Sequence, residues 1–342
     1  MSRKNLSVKI KIPKIFRDNL KSKKINAIYK RFEKSLDIND KFAVAVSGGP
    51  DSLALAFLAK VYSIKKKIPS KFFIVDHKLR SESTDEAKTV SKVLKKIFVK
   101  SEILTWRGKK PIKNVQSKAR IKRYELLTKN CEKFKITSIL LGHHQDDLFE
   151  NFFIRFSRGS GLKGLVSLDK KSKVSNKNLI RPLINEKKDD LIYISKKVFN
   201  FYVQDPTNLD EKFQRIRIRK LINELKREGL DKTKFLKTIK NLKSSNNVVD
   251  FYVQENLKKN TFFSKKKNNL ILSKNFFKQP YEIIFRAFSD SLKIVGKKYH
   301  SVRGKKLDKI INQIEKNHLN RSTLGGCIVE KVNHSVIISK EH

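Results

Sequence analysis

The stretch VAVSGGPDSLAL, residues 44–55, places a glycine-rich loop between two apolar segments. Val44–Val46 is typical of the end of a buried strand, and the apolar residues from Leu53 onward favour a helix packed on that strand. The loop between them, residues 47–52, lacks the lysine of the GxxxxGK[ST] phosphate loop. Its backbone N–H groups and the N-terminus of the following helix still favour anion binding, and its glycines permit close approach. We therefore interpret it as a phosphate-binding loop without a lysine.

Strand and helix patterns alternate from residue 41 to about residue 185. Strand-like runs lie at 42–46, 71–77, 100–106 and 136–144, and helix-like segments at 51–63, 84–97 and 115–134. This alternation predicts an α/β fold, a parallel sheet with crossover helices. Ligands of such sheets bind beyond the carboxyl ends of the strands. The polar segments 47–52, Asp76–His77 and 142–144 each follow an apolar run, as that rule requires.

The pattern changes beyond about residue 205, where amphipathic basic helices replace the alternation. Two later segments, 268–277 and 327–339, have strand character, the second as a hairpin around Asn333–Ser335. We expect three regions: a helical N-terminal extension at 1–40, a catalytic domain at 41–214, and a mostly helical, basic domain with a small β element at 215–342.

The charge balance is the strongest feature of the composition. The chain has 79 Lys and Arg against 33 Asp and Glu, a net charge of +46. Such an excess indicates a polyanionic partner, nucleic acid above all, although a lysine-rich composition inherited from an AT-rich genome is the alternative. No apolar run approaches the ~18 residues of a membrane span, and no signal peptide is evident. We expect a cytoplasmic protein without a membrane partner.

Cysteine usage narrows the chemistry. Cys131 and Cys327 are the only cysteines, and no CxxC pair is present. This excludes a disulfide scaffold, a cysteine-rich zinc site and a cysteine-ligated iron–sulfur cluster. His143 and His144 are neighbours at the end of one strand and therefore point in opposite directions, so we do not expect a transition-metal site there.

The SGGPDS loop resembles the SGGxDS loop of the N-type ATP pyrophosphatases, which split ATP into AMP and pyrophosphate. Further segments resemble, in the same order, motifs of the tRNA(Ile)-lysidine synthase family: IVDHKLR (74–80), SKARIKRYELL (117–127), LLGHHQDDLFENFFIRFSRGSGLKGL (140–165), LIRPLI (179–184), QDPTN (204–208) and RIRIRK (215–220). The similarity extends over about residues 40–220, and TLGGCIVE (323–330) resembles the family's C-terminal domain.

The resemblance implies a fold like that of the adenine nucleotide alpha hydrolases and a ligase reaction. ATP with Mg²⁺, free L-lysine and tRNA(Ile) with a CAU anticodon would be bound. The wobble cytidine would be adenylated at O2, and lysine would then displace AMP from C2. The loop would hold the pyrophosphate end of ATP through Ser47, Gly48, Gly49, Pro50, Asp51 and Ser52.

Individual residues receive roles, each beside a structural alternative. The carboxylate of Asp51 can lie near phosphates only with Mg²⁺ or a cationic substrate between them, and in that position Asp51 would be catalytic. The alternative is that Asp51 or Ser52 simply caps a helix. Asp76 and His77 lie where adenosine would rest, or form a satisfied polar pair at a strand end. Arg120 would stabilise charge at the α-phosphate as a catalytic residue, or belong to an exposed basic face.

Asp147 and Glu150 have i, i+3 spacing and so share one face of a helix beginning near Gln145. The resemblance implies that this pair binds the amino groups of free lysine, with Asp147 catalytic. The alternative is that these carboxylates only favour a helix N-terminus through its dipole.

Three arginines, at positions 215, 217 and 219, alternate along the chain. They would share one face of an extended segment that meets the tRNA backbone, whereas on a helix Arg215, Arg217 and Arg219 would not share a face.

The chain departs from the family pattern at Leu148, usually Gln, at Asn151, usually Thr, and at Ile216, usually Asn. Two other functions stay open: a tRNA sulfur transferase, which the absence of CxxC disfavours, and a basic RNA-binding protein with an inactive domain, which the intact loop disfavours.

Overall fold

A computed structural model describes residues 12–203, 210–264, 268–297, 302 and 304–341. The chain divides into two compact units, residues 1–230 and 231–342. The first unit contains these elements: α1 (Lys14–Leu20), α2 (Lys23–Ser35), β1 (Phe42–Val46), α3 (Pro50–Lys66), β2 (Ser70–Asp76), α4 (Ser83–Lys96), β3 (Ser101–Thr105), α5 (Val115–Lys133), β4 (Ser138–Leu140), α6 (Gln145–Phe156), α7 (Leu162–Leu165), β5 (Lys171–Val174), β6 (Lys177–Ile180), α8 (Lys188–Phe199) and α9 (Gln214–Arg227).

The first unit is built on a six-stranded sheet in the order β3-β2-β1-β4-β6-β5. All neighbouring pairs are parallel except β5 and β6. The predicted parallel sheet with crossover helices is therefore confirmed, and β1 lies at its centre. The β5–β6 hairpin was not expected. Ser175 and Asn176 between its strands both have positive φ, as a two-residue type I′ turn requires.

The core of this unit surrounds α3. This helix is buried on nearly every side because it packs against β1, α2 and α8. The N-terminal helices belong to the same core, since Phe16, Tyr29 and Phe32 have no exposed surface. Residues 14–35 thus form an integral part of the first unit.

The division between the units falls after Leu230, later than the boundary that we expected at residue 214. Helix α9 stays with the first unit because it buries Ile218 and Ile222 and pairs Arg219 with Glu150 of α6.

The second unit combines helices with an antiparallel sheet. Its elements are α10 (Lys232–Asn260), β7 (Thr261–Ser264), β8 (Asn269–Leu272), a 3-10 helix (Lys274–Lys278), α11 (Tyr281–Gly296), α12 (Gly304–Glu315), β9 (Arg321–Leu324), β10 (Cys327–Val332) and β11 (Ser335–Lys340). The strand order is β7-β8-β11-β10-β9. The predicted hairpin is present, with Asn333 at φ +51 in its turn. The strand expected at 268–277 ends at Leu272, where the 3-10 helix follows. Within the described ranges, no helix has the length and apolar composition needed to cross a bilayer.

Candidate active site

The hydroxyl of Ser52 organises the loop between β1 and α3. It accepts the backbone N–H groups of Ser47 and Gly48, both at 3.1 Å, and donates to the carbonyl oxygen of Gly49 at 3.0 Å. Two of the loop's N–H groups are therefore used internally. The donors that face a ligand are those of the first turn of α3, which have no acceptor within the helix. An anion is thus expected at the N-terminus of α3.

Gly48 is held in a conformation that only glycine accepts easily. Its φ is +90, and an added Cβ would lie 2.5 Å from Val90 Cγ2 and 2.9 Å from Val203 Cγ2. The N–H of Val203 also donates to the Gly48 carbonyl oxygen at 3.0 Å. On the α3 side, Ser195 Oγ donates to the Pro50 carbonyl oxygen at 2.6 Å. These contacts hold the loop from both sides.

His144 lies between two of the predicted carboxylates. Its Nε2 is 3.5 Å from Asp51 Oδ2 and 3.8 Å from Asp147 Oδ2. Its Nδ1 accepts the N–H of Asp146, while Asp147 Oδ2 accepts the N–H of His144, so the two side chains form a reciprocal cap on α6. Burial disfavours the protonated imidazole, but Asp51 and Asp147 outweigh it and raise the pKa of His144. This histidine joins the phosphate loop to α6.

Asp51 has one oxygen ready for a cation. Its Oδ1 is buried and accepts no hydrogen bond from any residue in the described part of the chain. It lies in the first turn of α3, at the end where an anion is expected. A carboxylate oxygen in this position fits Mg²⁺ bound between Asp51 and phosphates.

Two further histidines present buried nitrogens near the carboxyl ends of the strands. His77 follows β2, and its Nε2 accepts Arg123 Nε at 3.3 Å. His143 follows β4. Burial lowers the pKa of each to about 4, with Arg123 adding to the effect at His77 and Arg181 at His143. Nδ1 of each is buried without a partner among the described residues. Both imidazoles are neutral at pH 7 and offer a nitrogen to a ligand.

Asp76 plays a structural part. Its carboxylate accepts the N–H of Lys78 at 2.9 Å and the hydroxyls of Ser83 and Thr84 at 2.9 and 2.8 Å. Burial alone would raise the pKa of Asp76, but these hydrogen bonds lower it. Asp76 is 2% exposed, and its oxygens are committed to Lys78 and to the first two residues of α4. Asp76 therefore acts on the site through the segment that follows it, which begins with His77.

Glu150 is paired with α9. Arg219 Nε donates to Glu150 Oε1 at 2.6 Å, and Arg215 Nε lies 3.8 Å from Oε2. The prediction of an extended segment for the three alternating arginines is wrong, because they lie on helix α9. Ile218 and Ile222 are buried on one face of that helix. On that helix Arg215 and Arg219 share a face. Arg217 points elsewhere and donates to backbone carbonyl oxygens at 2.6 and 3.0 Å.

A cavity of about 180 Å³ lies beside this pair. Charged and polar side chains of α6, α8 and α9 dominate its lining, which consists of Asp146, Phe149, Glu150, Lys188, Arg219, Ile222, Asn223 and Lys226. Carboxylates and cations face the same space. The cavity therefore suits a small molecule that carries both charges.

Two arginines border the site on the side of α5 and β6. Arg120 is exposed on α5, with its guanidinium 5.1 Å from the centre of the Tyr124 ring. Arg181 is buried after β6 and donates to the Asp169 carbonyl oxygen at 2.7 Å and to Ser172 at 3.0 Å. Both lie close enough to lower the pKa of His143. This side of the site is thus positively charged.

Comparison with known proteins decides the family. The PP-loop domain family matches residues 19–225. The tRNA(Ile)-lysidine synthase of Orientia tsutsugamushi is 36% identical over 315 residues, which cover 89% of this chain and 70% of that protein. The chain belongs to the tRNA(Ile)-lysidine synthase family. The enzyme of that name from Wolbachia of Brugia malayi is 33% identical over 312 residues, covering 89% of this chain and 71% of that protein.

The fold of this lysidine synthase family member also occurs in a solved structure of another protein. The U34-tRNA thiolase NcsA from Methanococcus maripaludis, with its [4Fe-4S] cluster, superposes with a TM-score of 0.54 at 19% identity, covering 64% of this chain and 78% of that one. This likeness concerns the fold alone.

The residues predicted for this lysidine synthase family member fall into separate groups. Asp51 and Asp147 meet through His144, Glu150 meets α9, and His77 stands on the β2 side. Sequence reasoning missed His144 as a link and Arg219 as a partner of Glu150. A signal for the first was available, since a polar residue three positions before an acidic one, as in His144–Asp147, is typical of a helix cap.

Proposed function

We propose that this chain ligates L-lysine to C2 of the wobble cytidine in the CAU anticodon of tRNA(Ile), with release of AMP and pyrophosphate. One observation carries the proposal within the family: His144 connects the phosphate loop, through Asp51, to the helix of Asp147 and Glu150. Nucleotide activation and amino-acid binding would therefore take place in one continuous site. We propose the cytoplasm as the compartment, since tRNA, ATP and free lysine meet there.

In the first step the loop holds the pyrophosphate end of ATP at the N-terminus of α3. Asp51 Oδ1 would hold Mg²⁺, which when bound neutralises phosphate charge. Cytidine O2 attacks the α-phosphorus, the new O–P bond forms, and the bond to pyrophosphate breaks. Arg120 lies on the positive side of the site, where charge develops on the α-phosphate. The buried nitrogen of His77 offers a contact for the adenosine.

In the second step the ε-amine of lysine attacks C2, and AMP leaves with the former O2. The attacking nitrogen must be uncharged, so its proton passes to a carboxylate or to the departing phosphate. Asp147 is the residue that we propose for this, because it is the carboxylate of α6 that His144 joins to Asp51 of the phosphate loop. Asp147 and Glu150 together would bind the amino groups. The cytidine reaches this site only after it leaves its stack in the anticodon.

The tRNA would be held by basic residues of α9 and of residues 231–341. Phosphate contacts of this kind position the RNA without reading its sequence. Arg215 and Arg217 are exposed on the segment that we assign to tRNA binding.

Asp51→Ala tests the first step. The variant should lose pyrophosphate release with ATP and tRNA while its tRNA affinity stays near wild type. Asp85→Ala is the matched control, because Asp85 also lies in the first turn of a helix but pairs with the exposed Lys88, at 3.0 Å. Release by Asp51→Ala at the rate of the control variant would contradict the assignment of the loop.

Asp147→Asn and Glu150→Gln test the second step. Each removes a charge at nearly constant shape and should weaken lysine binding by about 1.5–3 kcal/mol, the range for hydrogen bonds to charged groups. Lysine-independent adenylation should continue. Radiolabelled lysine transferred to tRNA measures the ligation directly, and an unchanged KM for lysine would place the amino-acid site elsewhere.

A further inference from the structure

The side chain proposed to bind the lysine cation already holds a cation. Glu150 has a side chain only 3% exposed, and Arg219 Nε lies 2.6 Å from its Oε1. Arg219 Nη2 approaches Oε2 at 3.5 Å, and Arg215 Nε lies 3.8 Å from the same oxygen. A buried carboxylate requires such a partner. An incoming ammonium group must therefore displace a guanidinium or share the carboxylate with a like charge.

The two arginines are open to a different competitor. Their side chains are 48% exposed at Arg215 and 35% exposed at Arg219, on the same face of α9. Phosphate oxygens of a bound RNA can approach both guanidinium groups from solvent, while Glu150 stays covered. The planar guanidinium of arginine binds phosphate through bidentate, charge-assisted hydrogen bonds. A phosphate fits this group at least as well as a carboxylate does.

We infer that Arg219 occupies the place of the substrate ammonium in the tRNA-free protein, and that tRNA phosphates draw Arg219 and Arg215 away and so open Glu150 to lysine. The inference rests on the proposed role of Glu150 in lysine binding. It makes α9 a regulator of that site, because bound tRNA would raise the affinity of Glu150 for lysine. Removal of the guanidinium leaves a buried carboxylate that a new cation stabilises strongly.

Thermodynamic linkage gives the size of the effect. If tRNA tightens lysine binding by some factor, lysine must tighten tRNA binding by the same factor. Couplings of this kind commonly amount to about 5- to 150-fold.

The test measures binding of radiolabelled L-lysine to the full chain by equilibrium dialysis, without ATP, in the presence and absence of a tRNA(Ile) transcript. For the wild type we expect tRNA to tighten lysine binding. Arg219→Gln should bind lysine without tRNA as tightly as the wild type does with tRNA. Arg31→Gln is the matched control, because Arg31 also pairs a half-exposed guanidinium with a buried glutamate, Glu186, at 2.6 Å, but lies on α2 and has no proposed tRNA contact. It should retain the wild-type coupling.

Two results would overturn the inference. Weaker lysine binding by Arg219→Gln in both conditions would show that Arg219 only holds Glu150 in place. Lysine affinity of the wild type that is the same with and without tRNA would show that no coupling exists. If Arg219→Gln fails to fold, the reciprocal measurement on the wild type, tRNA affinity with and without lysine, decides the matter, and Arg215→Gln should show a smaller change in the same direction.

Failure of the proposed function has a separate readout. Pyrophosphate release with ATP and tRNA, in the absence of lysine, reports adenylation and does not depend on Glu150. Loss of that release in the wild type would contradict the proposed function, whereas its persistence beside uncoupled lysine binding would contradict only the role of Arg219.

Discussion

Replacement of Gly48 by alanine should destabilise the first unit strongly. Gly48 has φ +90, a region that costs a residue with a Cβ about 1–2 kcal/mol. The new methyl group would also lie 2.5 Å from Val90 Cγ2 and 2.9 Å from Val203 Cγ2. Valine is stiff at χ1, so these contacts are relieved only by movement, and overpacking of this kind costs about 1–3 kcal/mol. Together we expect a loss of about 2–5 kcal/mol in the free energy of unfolding.

The neighbouring glycine provides the control. Gly49 has φ −68, and its added Cβ would have no neighbour closer than Ser47 Oγ at 3.9 Å. Gly49→Ala should therefore cost less than about 1 kcal/mol. Urea unfolding followed by tryptophan fluorescence measures both variants, because the only tryptophan, Trp106, is buried in the first unit. Val203→Ala in the Gly48→Ala background should restore part of the loss.

Equal unfolding midpoints for the two glycine variants would refute this reasoning, since the loop would then not be held by Val90 and Val203. Failure of Val203→Ala to restore any stability would locate the strain in the backbone alone.

Three other outcomes are expected. Ser52→Ala should cost about 1–3 kcal/mol for each of the N–H groups of Ser47 and Gly48 left without an acceptor, measured by urea unfolding. The pKa of His143 is about 4, below that of an unfolded histidine, so stability should fall as pH drops from about 6.5 towards 4. His143→Gln should flatten that fall by roughly 1–2 kcal/mol, allowing for partial exposure of the ring. Deletion of residues 231–342 should reduce the slope of log tRNA affinity against log salt by about 0.7–0.9 for each phosphate that the deleted residues neutralise, and an unchanged slope would assign the charge there to composition.

Local patterns predicted the elements that surround the loop. The apolar run 42–46 is β1 at the predicted residues, because a central parallel strand buried on both faces reads as a continuous apolar segment. The hairpin at 171–180 escaped prediction, because its first strand, KSKV, is polar and only partly buried at the sheet edge. Its turn residues, Ser175–Asn176, are also a weaker signal than Asn-Gly.

The site was predictable only where its geometry is local. The i, i+3 spacing of Asp147 and Glu150 depends on neighbouring turns of one helix, and both carboxylates are buried on α6. The pairing of Glu150 with Arg219 spans 69 positions and depends on how α9 packs, which no short pattern contains. The same holds for His144 and Asp51, which follow different strands of the sheet.

The strand order separates the residues proposed to bind the nucleotide from those proposed to bind lysine. β1 carries the phosphate loop, with β2 and its His77 on one side and β4 with α6 on the other. The proposed adenosine contact, His77, and the proposed lysine-binding carboxylates of α6 therefore follow different strands, on either side of the central loop. Substitutions along α6 could alter which amine is accepted while the nucleotide half stays intact. The residues that select the nucleophile can therefore change while the part of the fold that activates the nucleotide stays the same.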